Sequence, residues 1–144
     1  MKNIFLDTNF IIDYFVREDY NGEAEKLLQL GDKLNFKFFI SYLSVANFAY
    51  IMRKLPASQL NDIIYRICNV FHVVDNTSNQ ILKNLESGFK DFEDGLQYQC
   101  ALAADCDCII TRNKKDFVNS SIQVMTAEEY LTNAVISNND AEIN

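Results

Sequence analysis

The chain has 144 residues, 49% of them apolar, with only four glycines and one proline, a composition that excludes a linker or disordered tail and fits one globular domain. A domain of this length can bury roughly 68–70% of the surface its unfolded chain exposes, so a single core suffices. The formal net charge of -7 excludes a broad electrostatic grip on nucleic acid and confines any such contact to a local patch of Lys and Arg.

Asn3-Ile4-Phe5-Leu6 is an apolar run that ends at Asp7, long enough for a buried parallel strand and too short for the apolar region of a signal peptide. No stretch approaches the ~20 apolar residues of a membrane span. These features predict a cytoplasmic protein without a membrane partner, whose cysteines, Cys68, Cys100, Cys106 and Cys108, are reduced thiols. Apolar periodicity predicts two helices after the first strand, over 9–15 and 23–30, and a second strand over 36–40. Ser44 is the expected cap of a helix that sends Val45, Phe48, Ala49, Met52 and Leu55 toward a core, and Pro56 the residue that ends it. A helix over 58–68 leads to a β-branched third strand over 70–74, and Thr77 caps the next helix.

Asp91 or Phe92 opens a helix running to about Ala104, followed by a fourth strand over 107–111 and a short fifth over 122–124. Thr126 with Glu129 has the form of a capping box, predicting a last helix from Ala127 to about Val135 and a frayed polar tail over 137–144. Strands separated by helices give the α/β class, as a three-layer α/β/α domain over residues 1–136 with a mostly parallel sheet of about five strands.

Open parallel sheets bind ligands outside the carboxyl ends of their strands. Asp7-Thr8-Asn9 stands there, with a carboxylate, a hydroxyl and an amide suited to a hard cation, although an ordinary strand-to-helix cap explains the segment equally well. Thr111-Arg112-Asn113-Lys114-Lys115-Asp116 follows the fourth strand at the same edge. Asp94, flanked by Asp91 and Glu93, begins a helix, where acids also serve simply to meet the positive end of the helix dipole.

In this order, Leu6-Asp7-Thr8-Asn9 with Asp13 and Arg17, Asp91-Phe92-Glu93-Asp94-Gly95-Leu96-Gln97, and Ile110-Thr111-Arg112-Asn113-Lys114-Lys115-Asp116-Phe117 resemble the PIN domain, the nuclease fold of VapC-like toxins and of other RNA-processing enzymes. The resemblance spans Ile4 to about Tyr130. It implies Mg²⁺- or Mn²⁺-dependent hydrolysis of RNA phosphodiesters, the role of toxin in a toxin–antitoxin pair, a cognate antitoxin and a homodimer. By position, Asp7, Asp94 and Asp116 match the family's metal-binding and catalytic acids, and Thr8 and Asn113 its supporting polar positions; Asn9, Asn47 and Thr111 are further candidates for supporting polar groups. Arg17, Arg112, Lys114 and Lys115 are candidate RNA contacts. The departure is Asn47, where similar domains commonly carry Glu; an amide can ligate a metal or hold a bound water, but it adds no charge and cannot act as a base. That departure raises an alternative, a catalytically weakened PIN domain that binds RNA or a protein.

Mg²⁺ prefers oxygen donors and takes only one or two protein carboxylates while keeping water and substrate phosphate, a need that three Asp residues meet. A metal-free ribonuclease built on two histidines is excluded, because the chain has only His72, assigned a structural place in a strand. Cys106-Asp107-Cys108 would turn both thiols to one side of a strand but lacks the spacing of structural zinc sites, so these thiols read as buried hydrophobes. Tyr14, Tyr50 and Tyr98 can stack on unpaired bases, although packing is the commoner use of such rings. A receiver- or phosphatase-type protein also places an acid after its first strand, but this chain has no Gly-rich phosphate loop, and covalent labelling of Asp7 by a phosphoryl-transfer reagent is the result that would favour that reading.

Overall fold

The computed structural model of the protein describes residues 2–17 and 21–143. Five strands, β1 (Asn3–Leu6), β2 (Lys37–Ser41), β3 (His72–Val74), β4 (Cys108–Ile110) and β5 (Gln123–Met125), form one sheet in the order β3-β2-β1-β4-β5. Every pairing is parallel. The chain builds outward from β1 to β3 on one side and returns to place β4 against β1, so the order reverses between these two strands. Their register sets Leu6 opposite Ile110, which brings the residues that follow, Asp7 and Thr111, to one point on the carboxyl edge.

Among the described residues seven helices, α1 (Thr8–Phe15), α2 (Asn21–Leu34), α3 (Tyr42–Ile51), α4 (Ala57–Val70), α5 (Ser78–Leu85), α6 (Phe92–Ala103) and α7 (Ala127–Ile143), cover the sheet. Alternation along the strands decides which side chain meets which layer. Ile4 and Leu6 pack with Cys108 and Ile110 against Phe10, Ile11, Leu27, Phe48 and Ile67 from α1 to α4. Phe5 and Ile109 point the other way, onto Tyr98, Cys100 and Ala101 of α6 and onto Phe117. The result is the three-layer α/β/α architecture that the sequence predicts.

Several local expectations are corrected. Ser41, not Ser44, caps α3, its hydroxyl accepting the Leu43 N–H at 3.0 Å. Ser44 lies fully buried within the first turn, its hydroxyl 2.8 Å from that of Thr8, where it ties α3 to the start of α1. Pro56 does not end α3, which stops at Ile51; it stands instead before α4, where a residue without an N–H costs nothing. Val70 belongs to α4, and β3 begins only at His72. Cys106 precedes β4 and joins the α6 core, whereas Cys108 joins the opposite one, so the two thiols do not share a side. α7 runs to Ile143, past the end near Val135 that the sequence predicts.

The cap at Thr77 is as the sequence predicts, a reciprocal box with Gln80. Asp91 caps α6 by accepting the Asp94 N–H at 2.9 Å, and Thr126 and Glu129 exchange hydrogen bonds of 3.3 and 3.1 Å at the start of α7. All four cysteines are free, three of them buried and Cys68 exposed.

α5 and α6 approach closely because residue 95 is glycine. A Cβ there would lie 1.8 Å from Oδ1 of Asn84. Asn84 is buried and holds the start of α6, donating to the Phe92 carbonyl at 2.9 Å while its Oδ1 accepts from the Ser87 hydroxyl at 3.1 Å. Gly95→Ala gains about 1 kcal/mol of helix propensity but evicts a buried amide whose unmade bonds cost about 1–3 kcal/mol. The expected net result in urea unfolding is a loss of roughly 1–2 kcal/mol, which the further change Asn84→Ala should largely remove.

Candidate active site

Asp7 closes β1 by donating its N–H to the Ile110 carbonyl at 3.0 Å, extending the ladder by one residue. Its carboxylate is 5% exposed and anchored on both oxygens. Oδ1 accepts the Thr8 N–H at 2.7 Å, which caps α1, and Oδ2 accepts the Thr111 hydroxyl at 2.8 Å. Burial raises its pKa above 3.8; the bonds from Thr111, Thr8 and Gln97 oppose the rise and the charge of Asp116 adds to it. The capping explanation of Asp7-Thr8-Asn9 therefore holds, and a capping carboxylate still has lone pairs to offer a cation.

Asp94 sits in the first turn of α6, half-buried. Burial first, and then the negative charges of Asp91, Asp7, Asp116 and Glu93, push its pKa up to about 7. Asp116 is exposed on a 3₁₀ turn, Lys114–Phe117, that the buried Phe117 ring pins to the α6 core. A cleft of about 360 Å³ gathers Asp7, Asp94 and Asp116, with Thr8, Asn9 and Asn47 also on its wall. Sequence reasoning missed three further members of that wall, Asp91, Glu93 and Gln97. Their signal was the α6 segment itself, in which every third or fourth residue of 91–97 is polar. No Lys, Arg or His stands among the described residues lining the cleft.

Gln97 is 2% exposed, and its Oε1 has no hydrogen-bond partner among the described residues. Asn47 donates from Nδ2 to Oε1 of Glu93, joining α3 to α6 across the cleft.

The other sequence candidates fall elsewhere. Thr111 touches the site only through Asp7, and Asn113 through its N–H, which donates to the Thr111 hydroxyl at 3.1 Å. Arg112 pairs with Asp13 at 2.8 Å beside a separate pocket of about 600 Å³, and Arg17, exposed after α1, adds its charge to the same Asp13. Lys114 pairs with Glu129 at 2.8 Å; Lys115 is exposed on the 3₁₀ turn. Tyr98 is a core ring, stacked on Phe89 at 4.9 Å with its hydroxyl 2.8 Å from that of Ser121, and Tyr14 packs edge-on against Phe15. Tyr50 alone of the three lies on the cleft, exposed and under the Arg53 guanidinium at 4.1 Å. His72 lies at 5.1 Å from the Phe39 ring on the sheet.

Among the described residues no group of three or more His, Cys, Asp or Glu side chains is arranged to hold a metal ion directly. The donors nonetheless fit a hydrated hard cation. Such an ion needs one or two carboxylates and acceptors for its waters, and among the described residues the cleft offers five acids, no competing cation and the Gln97 oxygen without a partner.

The sequence model of a family described as PIN domain matches residues 3–115. Ribonuclease VapC1 of Aquifex aeolicus (strain VF5) is 28% identical over 138 residues, covering 90% of this chain and 93% of that protein. Among solved structures, VapBC2 from Rickettsia felis, bound to a DNA fragment from its promoter, superposes with a TM-score of 0.69 at 16% identity over 86% of this chain and 98% of the other. VapBC-1 from nontypeable Haemophilus influenzae gives 0.63 at 22% identity, over 88% and 98%.

Proposed function

The chain belongs to the PIN domain family, and on that premise we propose that it is a metal-dependent endoribonuclease and the toxin of a toxin–antitoxin pair. The observation that carries the reading is the cleft at the β1/β4 edge, lined by Asp7, Asp94, Asp116, Asp91 and Glu93 and by no described cation. Asp7 and Asp94 would hold Mg²⁺ or Mn²⁺, with Asp116 on the open side and Gln97 accepting from its water. When bound, such an ion would supply an activated water and offset charge on the phosphate. Asp7 is the fixed point, because Thr8 and Thr111 occupy both of its oxygens and leave it no rotamer to choose. Asp94 faces the negative charges of Asp7, Asp116, Asp91 and Glu93, which a bound cation would offset.

RNA enters as a single strand, with Tyr50 able to stack on a base at the rim and Arg17, Arg112, Lys114 and Lys115 as candidate phosphate contacts. An antitoxin partner is supported by the relatives, whose solved forms include a toxin–antitoxin complex from Klebsiella pneumoniae. A homodimer and a cytoplasmic location belong to the same proposal; no helix among the described residues is long and apolar enough to cross a membrane.

Asn47 motivates the second reading, a weakened PIN domain that binds RNA or a protein. One assay separates the two. Purified protein is incubated with a mixed single-stranded RNA pool in Mn²⁺, in Mg²⁺ and in chelator, beside an Asp94→Asn variant purified identically. Cleavage that needs metal and is lost in the variant is expected. Equal degradation by both proteins, or none on this pool and on transfer RNA, would favour the binding module.

A further inference from the structure

We propose that Glu93, held across the cleft by Asn47, acts as a metal-site carboxylate of this protein. The inference rests on the metal-dependent reading above. It starts from the direction in which Glu93 points. A glutamate in the exposed first turn of a helix is free to extend into water; Glu93 is instead half-buried, lines the cleft and accepts a hydrogen bond from Nδ2 of Asn47, 46 residues away on α3. Successive helical residues project about 100° apart. Glu93 thus meets α3 while Asp94, the next residue, faces the charges of Asp7 and Asp116.

The partner's chemistry matters as much as its position. Lys or Arg would hold the carboxylate by neutralising it. An amide N–H fixes one oxygen, removes the rotamer freedom of a long side chain before any ion arrives, and leaves the full negative charge for a cation. Asn47 is therefore a positioning residue, and the acid that α3 lacks reaches the cleft from α6.

A plain interhelical tie would also produce this contact, and charge distinguishes the two. Glu93→Gln keeps an acceptor for Asn47 and loses only the charge. Mn²⁺ binding to the full chain is measured by calorimetry, and thermal unfolding is followed with Mn²⁺ and in chelator. Glu93→Gln should weaken Mn²⁺ binding about tenfold or more while its Tm in chelator equals or exceeds that of the native protein. Asn47→Ala should weaken binding several-fold. Asn47→Glu alone should weaken it too, because two carboxylates then meet where an amide and a carboxylate now do, whereas the double change Asn47→Glu with Glu93→Gln moves the charge to α3 and should restore affinity to within about threefold.

If Glu93→Gln binds Mn²⁺ like the native protein while Asp94→Asn does not, Glu93 is only a tie and the nuclease reading stands. A native protein that binds no Mn²⁺ removes both. A large gain in Mn²⁺ affinity and in cleavage from Asn47→Glu alone would overturn the inference and mark the native site as impaired.

Discussion

In chelator at pH 8, Asp94→Asn should unfold at a higher temperature than the native protein, although it should cut RNA roughly a hundredfold or more slowly. The two effects share one cause. Burial and the charges of Asp91, Asp7, Asp116 and Glu93 raise the Asp94 pKa from 3.8 to about 7. Between those values the folded protein keeps a proton that the unfolded chain has released, so stability falls as pH rises through the interval. Asn carries no such penalty. Its advantage should be full above about pH 7, shrink on acidification and vanish below pH 4, where the carboxyl is protonated in the folded and the unfolded chain alike. Saturating Mn²⁺ should reverse the order, since the native protein alone gains the full linkage from binding. Thermal melts at pH 4, 6 and 8, with and without Mn²⁺, check this. A variant less stable than native at every pH in chelator would mean that Asp94 is not held against its neighbours' charge.

That tension is invisible in one dimension, yet its parts were legible. Leu6-Asp7 reads as a strand ending in an acid because Ile4, Phe5 and Leu6 form a run too short for a helix, and Asp91 reads as a start of α6 because it precedes that helix's apolar positions. Parallel topology then carries Asp7 and Thr111 to the same edge, through β1 and β4 pairing Leu6 with Ile110.

The misplaced features each depended on a contact distant in sequence. Ser41 and Ser44 are equal as caps by residue type, and only the packing of α3 beside α1, where Ser44 meets Thr8, decides between them. Arg112 and Lys114 read as free cations beside Asp116, and only the fold shows that they pair with Asp13 and Glu129. Asn47 reads in the sequence only as an amide where similar domains carry an acid, and its hydrogen bond to Glu93 of α6 appears only in the fold. In each case the partner lies on another element, out of reach of any local reading of the sequence.

The largest effect on stability near the site is expected at Thr111, which the sequence marks only as a polar residue after a strand. It is 3% exposed, donates its hydroxyl to Oδ2 of Asp7 at 2.8 Å and accepts the Asn113 N–H at 3.1 Å. Thr111→Val preserves shape and its own N–H bond to the Met125 carbonyl at 3.0 Å, but leaves a buried carboxylate short of a donor. Hydrogen bonds to charged groups contribute roughly 1.5–3 kcal/mol, and a loss in that range is expected in urea unfolding at pH 8. The Thr111 bond is the leading influence that opposes burial in setting the Asp7 pKa, so without it that pKa should climb further. The stability loss should therefore be greatest at high pH, where Asp7 is ionised, and fade as pH falls through its raised pKa. Cleavage should respond in the same sense, with the rate of Thr111→Val reduced most at neutral pH and partly regained toward pH 9 as Asp7 ionises. Thr111→Ser keeps the hydroxyl and should retain most of the native rate and stability; a serine variant as impaired as the valine one would assign the defect to the lost methyl packing instead of to the bond that holds Asp7.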